Sequence, residues 1–312
     1  MTGIKVYKVS KKLSDAKMDA MSGGSISSKS IDRIIDHDAD VYTDDGKLLA
    51  RFRKQTLPDK NVKLFYDNVI GFAKNKTYNR GEMMGVDKGK RGYLSRNKEG
   101  IRTNIIGYMD GFSATQKIIM KRKGIASPMT IRESRFIIDY PDKWSKAQPL
   151  IRDIDKKYKS LIPAHYKKQM AKSRKMKFKI KGTSFTTVTT NVNVHTKIHK
   201  DKGDDEEGFG NLAVIENGEY SGGETCLPQY GVGFDVRSGD VLFMDVHEWH
   251  GNLPMKEITP GAIRLSIVCY LRTRIYDQEM KFDKTAKRKH MRFLKKMTKK
   301  KRYLNYTHIR LN

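Results

Sequence analysis

The stretch Arg264-Leu-Ser-Ile-Val-Cys-Tyr270 reads as an apolar β-strand carrying a buried-type arginine. Upstream of it lie Asp245-Val-His-Glu-Trp-His-Gly-Asn252 and His199-Lys-Asp201. In an extended chain alternate side chains point the same way, so His199 and Asp201 can reach a single metal ion. Two histidines and one carboxylate on one face are the donor set that holds Fe(II) with the opposite face open. The second histidine has to come from elsewhere in the chain, and His250 is the candidate. Arg264 follows fourteen residues later. A guanidinium clamps a carboxylate through two parallel hydrogen bonds, which suits it to the distal carboxylate of a dicarboxylic co-substrate such as 2-oxoglutarate.

Around this centre the chain reads as short strands separated by turn signals. Asp40 to Arg53 predicts a β-hairpin about Asp45-Gly46. Phe178, Ile180, Phe185, Thr187, Thr189, Asn191 and Asn193 alternate with other residues and predict strands entering the core. Val241 to Met244 and Ile263 to Tyr270 predict two more, with a turn at Ser238-Gly239. Leu150, Ile154, Tyr158 and Leu161 have helical spacing, so a helix is expected from Pro149 to Leu161, with a second from Ala164 to about Lys172. The expected class is mainly β with flanking helices.

The chain has 312 residues and a formal net charge of +28, with 38% hydrophobic residues. That is enough apolar content for a core, and the charge excess points to a polyanionic partner, nucleic acid before membrane. Lys156 to Lys181 holds eleven Lys or Arg and no acid, and Lys281 to Arg302 holds twelve with Asp283 as the one acid. The first run, which includes Arg174 and Lys175, is read as contacting a nucleic-acid backbone. The second is read as a helical basic tail. Asn79 to Asn104 is rich in glycine and arginine and contains Arg80, Lys90 and Arg91. It reads as a loop gripping a phosphate backbone or closing on the co-substrate, against the alternative of a solvated loop.

Two cysteines, Cys226 and Cys269, exclude a disulfide framework and a cysteine-rich zinc module. Met1 to Ser28 lacks the apolar region of a signal peptide, and no apolar run approaches membrane-spanning length. An intracellular, reducing compartment is expected, the nucleus in a eukaryotic host, with no membrane or protein partner evident. The expected organisation is a polar, mobile N-terminal arm over 1–35, a catalytic domain over 36–275 and the basic tail over 276–312.

Thr183 to Arg274 resembles the oxygenase domain of the TET/JBP dioxygenases, most closely the compact microbial and viral members. The residues that carry the resemblance are Gly182 to Thr189, His199-Lys-Asp201, Glu207 to Leu212, Ser221 to Glu224 with Leu227-Pro228, Phe234 to Asp240, Asp245 to Asn252, and Arg264 to Tyr270. The resemblance implies a double-stranded β-helix (jelly-roll) core. It also implies dependence on Fe(II), 2-oxoglutarate and O2, and a 5-methylpyrimidine in DNA as substrate, with 5-methylcytosine slightly ahead of thymine. The base would be flipped out or already single-stranded. The family spacing favours His250 over His247 as the distal ligand. Ser266, two residues after Arg264, would share the co-substrate carboxylate. Tyr270 matches a position whose ring stacks on the base. Asp204 and Arg272 fall near base-reading positions that are Asn and His in the animal enzymes, a departure that leaves base identity open. His195 is expected to be a satisfied strand histidine. The competing readings are a protein hydroxylase of prolyl type with the same metal chemistry, and a non-catalytic nucleic-acid-binding module.

Overall fold

Alternation of apolar and polar residues builds two main sheets, a two-stranded ribbon and a helical layer. The computed structural model describes residues 3–77, 100–112, 118, 122 and 129–299. The N-terminal part contains β1 (Lys5–Val9), α1 (Asp15–Ala20), β2 (Arg33–Ile35), β3 (Ala39–Thr43), β4 (Leu48–Arg53), α2 (Asp59–Ala73) and β5 (Thr103–Met109). It continues with β6 (Arg132–Glu133), α3 (Arg135–Asp139), α4 (Pro141–Leu161), α5 (Pro163–Arg174) and β7 (Thr187–Val192). Next come β8 (Gly210–Asn217), β9 (Tyr220–Gly222), β10 (Thr225–Leu227), β11 (Val232–Phe234), β12 (Val241–Met244), β13 (Gly251–Asn252), β14 (Met255–Glu257) and β15 (Ile263–Tyr270). Two helices close the described chain, α6 (Thr273–Met280) and α7 (Lys284–Lys299).

The large sheet has nine strands in the order β1-β3-β4-β12-β8-β15-β7-β5-β6, and the smaller one has four, β13-β10-β11-β2. This is the double-stranded β-helix with flanking helices that the sequence predicts. The period-2 rule sorts β15 cleanly. Ile263, Leu265, Ile267 and Cys269 join the core beneath the helices. Arg264, Ser266, Val268 and Tyr270 face the other way and line a cavity. Leu242 and Val214 on the large sheet meet Leu227, Val232 and Phe234 on the small one in a second core cluster.

The helical layer is pinned by Tyr158. Its ring lies between Phe185 and Phe243, stacked at 6.1 and 5.5 Å, and its hydroxyl accepts from Phe209 N at 2.8 Å. The helix bearing Tyr158 begins at Pro141, not at Pro149 as the sequence suggested, and runs through Pro149. Pro141 sits at the helix start, where a missing N–H is harmless. Pro149 costs an internal hydrogen bond, about 3 kcal/mol. The stripe of Ala147, Leu150, Ile151, Ile154 and Tyr158 is buried on both sides of it. At roughly 1.5–3 kcal/mol for each large apolar side chain, that burial outweighs the break.

Other expectations need correction. The N-terminal segment is not a mobile arm: β1 pairs in parallel with β3 and β2 in parallel with β11. Lys5-Val-Tyr-Lys-Val9 alternates, and Tyr7 and Val9 pack on the core. The hairpin at Asp45-Gly46 is present, with Gly46 at φ +87° and Thr43 N donating to Lys47 O. Phe178 to Phe185 forms turns rather than strand; only Thr187–Val192 pairs. The basic C-terminal segment is helical to Lys299, and it is docked rather than free, with Leu294 buried among Met129, Ile131, Phe178 and Ile275. Arg80, Lys90 and Arg91, with most of the glycine-rich loop, lie outside the described residues. Among the described residues no helix is long and apolar enough to cross a membrane.

Candidate active site

Backbone pairing assembles the metal-ligand set. His199 and His250 form an isolated antiparallel bridge, each N donating to the other's carbonyl at 2.9 Å. Residues directly opposed in such a bridge project to the same side, and the two rings are 4.3 Å apart. Asp201 is tied to the same loop by its N–H to Val246 O at 3.0 Å.

The ring orientations decide which nitrogen is available. His199 Nδ1 lies 2.7 Å from Lys197 O, and His250 Nδ1 lies 2.9 Å from Glu248 O. A carbonyl can only accept, so both Nδ1 atoms carry a proton, which leaves Nε2 of each ring as the atom to offer a metal. These Nε2 atoms face Asp201, at 3.6 Å from His199 and 3.9 Å from His250. Burial, with the His199 ring alongside, pushes His250 well below the usual imidazole range, so it is neutral at physiological pH. His199, Asp201 and His250 offer ligand atoms that all lie within 4.8 Å of one another. His247 is not in this cluster; its Nε2 is buried without a hydrogen-bond partner among the described residues. His195 lies in the loop after β7 rather than on the strand expected, with its Nδ1 3.5 Å from Lys197 Nζ.

The ligands open onto a cavity of about 790 Å³. Arg264 lines it and is 6% exposed. Asn193, held at φ +53°, grips the Arg264 backbone from both sides: its Oδ1 accepts from Arg264 N at 2.8 Å, and its N donates to Arg264 O at 3.1 Å. The guanidinium Nε and Nη2 have no hydrogen-bond partner among the described residues. Burial lowers the Arg264 pKa, yet guanidinium remains charged in proteins. A buried cation with unused donors costs several kcal/mol unless an anion meets it. Ser266 Oγ accepts from Asn191 Nδ2 at 3.1 Å, which leaves its own proton to donate. Asn191 Oδ1 is also unpartnered.

The rest of the wall holds the other expected residues. Tyr270 lines the cavity with its hydroxyl 3.2 Å from Thr189 Oγ1. Asp204 and Arg272 line it too, opposed in a backbone bridge. The Arg272 guanidinium is ion-paired with Asp110, Nε to Oδ1 at 2.9 Å. Arg174 and Lys175 are exposed at the end of α5 and do not line the cavity. Sequence reading missed Asp110, Asn191 and Lys200. For Asn191 the signal was present: it shares the strand parity of Thr189. Lys200, between two metal ligands, lines the cavity, and its ammonium sits 5.0 Å from the centre of the Trp249 ring.

The donor chemistry fits the implied groups. Two imidazole Nε2 atoms and a carboxylate suit Fe(II). An unpartnered buried guanidinium and a serine hydroxyl in the same cavity suit the dicarboxylate.

Comparison with known proteins agrees with this fit. Thymine dioxygenase JBP1 of Trypanosoma brucei brucei is 35% identical over 158 residues, covering 50% of this chain and 19% of that protein. The bifunctional helicase and thymine dioxygenase JBP2 of Leishmania infantum is 35% identical over 147 residues, covering 47% of this chain and 13% of that protein. The JBP2 of Trypanosoma cruzi is 28% identical over 224 residues, covering 72% of this chain and 19% of that protein. The chain thus spans at most about a fifth of the length of these relatives. The solved structure of NgTET1 in complex with 5mC DNA has the same fold, with a TM-score of 0.53 at 13% identity, covering 89% of this chain and 85% of that one. The model of the Tet_JBP family, described as the oxygenase domain of the 2OGFeDO superfamily, matches residues 118–273, and the chain belongs to that family.

Proposed function

We propose that the chain is an Fe(II)- and 2-oxoglutarate-dependent dioxygenase that hydroxylates the 5-methyl group of thymine in DNA. One observation carries this: the His199, Asp201 and His250 ligand atoms share a cavity with the buried Arg264 guanidinium, whose Nε and Nη2 have no hydrogen-bond partner among the described residues.

His199, Asp201 and His250 hold the iron, with their orientation fixed by carbonyls behind each ring. When bound, the iron supplies the O2 chemistry that couples loss of CO2 from the 2-oxo acid to hydroxylation of a C–H bond, leaving succinate. Arg264 clamps the distal carboxylate of 2-oxoglutarate and Ser266 donates a further hydrogen bond to it. Tyr270 supplies a flat face for a base, which has to leave the duplex stack to enter.

Thymine is placed ahead of 5-methylcytosine, reversing the order read from sequence. The three relatives above are named as thymine dioxygenases. Arg272 in the wall can donate to thymine O4, whereas cytosine presents an amino group there.

Mass spectrometry of nucleosides from unmodified and 5-methylcytosine-containing DNA, incubated with Fe(II) and 2-oxoglutarate, tests the proposal. The expected product is 5-hydroxymethyluracil, absent in His199→Ala and Asp201→Ala, both of which also lose bound iron. Hydroxymethylcytosine alone would return the substrate to 5-methylcytosine. No oxidised base from either DNA, with iron bound, would overturn the reading.

A further inference from the structure

The two basic runs, distant in sequence, meet in the fold. Glu279 on α6 is fully buried and accepts hydrogen bonds from the backbone N–H groups of Lys177 and Phe178. The Phe178 ring packs against His290 of α7 with centroids 5.4 Å apart, and His290 Nε2 donates to Ile131 O at 2.6 Å. Leu294, Met291 and Phe293 pack into the same cluster as Leu271, the neighbour of Tyr270 and Arg272 in the cavity wall. α7 is thereby fixed beside the site and beside the turn that follows α5.

Its outward face is cationic. Apart from Thr285, every α7 side chain described as exposed is basic: Lys284, Arg288, Lys289, Arg292, Lys295 and Lys296. Arg174, Lys175 and Lys177 are exposed on the adjoining turn. Among the described residues of α6, α7 and the segment joining them, the exposed acids are Asp277 and Asp283, and the Asp283 carboxylate caps α7 at Ala286 N. From Lys284 to Lys296 the stripe runs about 18 Å at the helical rise per residue.

We propose that α7 and the Arg174–Lys177 turn form one clamp for the phosphate backbone of duplex DNA flanking the reacting base. The inference rests on the reading of the substrate as DNA. An anionic bilayer fits less well, because α7 has its apolar face already buried and offers none to insert. A single strand fits less well, because the exposed face of α7 carries no aromatic ring on which bases stack. A row of cations along one exposed helix face matches a polymer that repeats one charge about every 1.7 Å of axis.

The experiment is duplex binding by fluorescence anisotropy across a salt titration, in the full chain. Wild type is compared with a quadruple variant, Arg288→Gln, Arg292→Gln, Lys295→Gln and Lys296→Gln. All four positions are exposed, and Gln is a good helix former. If the quadruple variant does not hold the wild-type melting temperature, the double variant Lys295→Gln, Lys296→Gln takes its place. The expected result is at least about a tenfold loss of affinity for duplexes of unrelated sequence, with the slope of log K against log salt flattened by up to about 3 to 4 units. An unchanged slope overturns the clamp, as does a loss confined to single strands or phosphatidylserine vesicles. The readout needs neither iron nor 2-oxoglutarate. Hydroxylated base with an unchanged slope removes the clamp and leaves the enzyme, while a flattened slope without any hydroxylated base does the reverse.

Discussion

Arg264 carries a rigid fork of donors, and its surroundings are built to that shape. Lysine retains the charge and loses the fork, so Arg264→Lys is expected to raise the KM for 2-oxoglutarate about 10- to 100-fold with little change in kcat, consistent with roughly 1.5–3 kcal/mol for hydrogen bonds to a charged group. Steady-state kinetics with varied co-substrate decides it; an unchanged KM would mean the carboxylate is held elsewhere. Gly223 is the second test at this scale. It sits at φ +80°, and a Cβ there would lie 2.9 Å from Arg264 Cδ and 3.0 Å from its Nε. Gly223→Ala should therefore raise the same KM by moving the guanidinium, at a stability cost of about 1–2 kcal/mol for the left-handed backbone. A normal KM in that variant would mean the arginine is not confined as described. The ligands and Arg264 were legible in the sequence because their chemistry is written in spacings of two and fourteen residues. Asp110, the ion-pair partner of Arg272, was not: it reaches the site through β5, whose pairing with β7 no local pattern announces.

Among the elements, α7 docks through a titrating group. His290 is fully buried against Phe178 and Phe293. Burial lowers its pKa from the usual 6.5. A depressed pKa means that the folded state disfavours the proton, so the docking energy is complete above 6.5 and is lost as pH falls below it. Amide-exchange protection of α7, corrected for intrinsic rates, should fall on acidification in the wild type. His290→Phe keeps an aromatic ring but cannot titrate, so its protection should be lower by a constant amount, about 1 kcal/mol for the lost bond to Ile131 O, and should stay flat across that range. Protection that falls equally in both proteins would assign the effect to another group. Element reading from sequence succeeded where the pattern was unbroken, as at Val241–Met244 and Ile263–Tyr270. It placed the start of α4 eight residues late, because a proline that normally marks a helix start lies mid-helix, and it missed α2, although the buried positions Val62, Phe65, Val69 and Ala73 have helical spacing.

At the scale of the whole molecule, both sheets depend on the first thirty-five residues for an outer strand. β1 covers β3 on the large sheet and β2 covers β11 on the small one. A chain beginning at Asp38 would expose two unpaired edges, and open edges recruit other strands. Such a truncation is expected to form soluble oligomers or aggregates by light scattering, with a lowered melting temperature. A monodisperse monomer that melts with the full chain would show the edges to be protected by other means. Composition missed this because two short, polar-looking strands carry too little apolar signal to stand out from a loop. The two-sidedness of β15 has a consequence for how the gene can vary. Inserting or deleting a single codon just ahead of Ile263 would rotate every following side chain to the opposite surface. Arg264, Ser266 and Tyr270 would be driven under the helices, while Leu265 and Ile267 would enter the reaction chamber. Foldedness and activity would vanish in one event, so this strand can diverge only by exchange of residues at constant length.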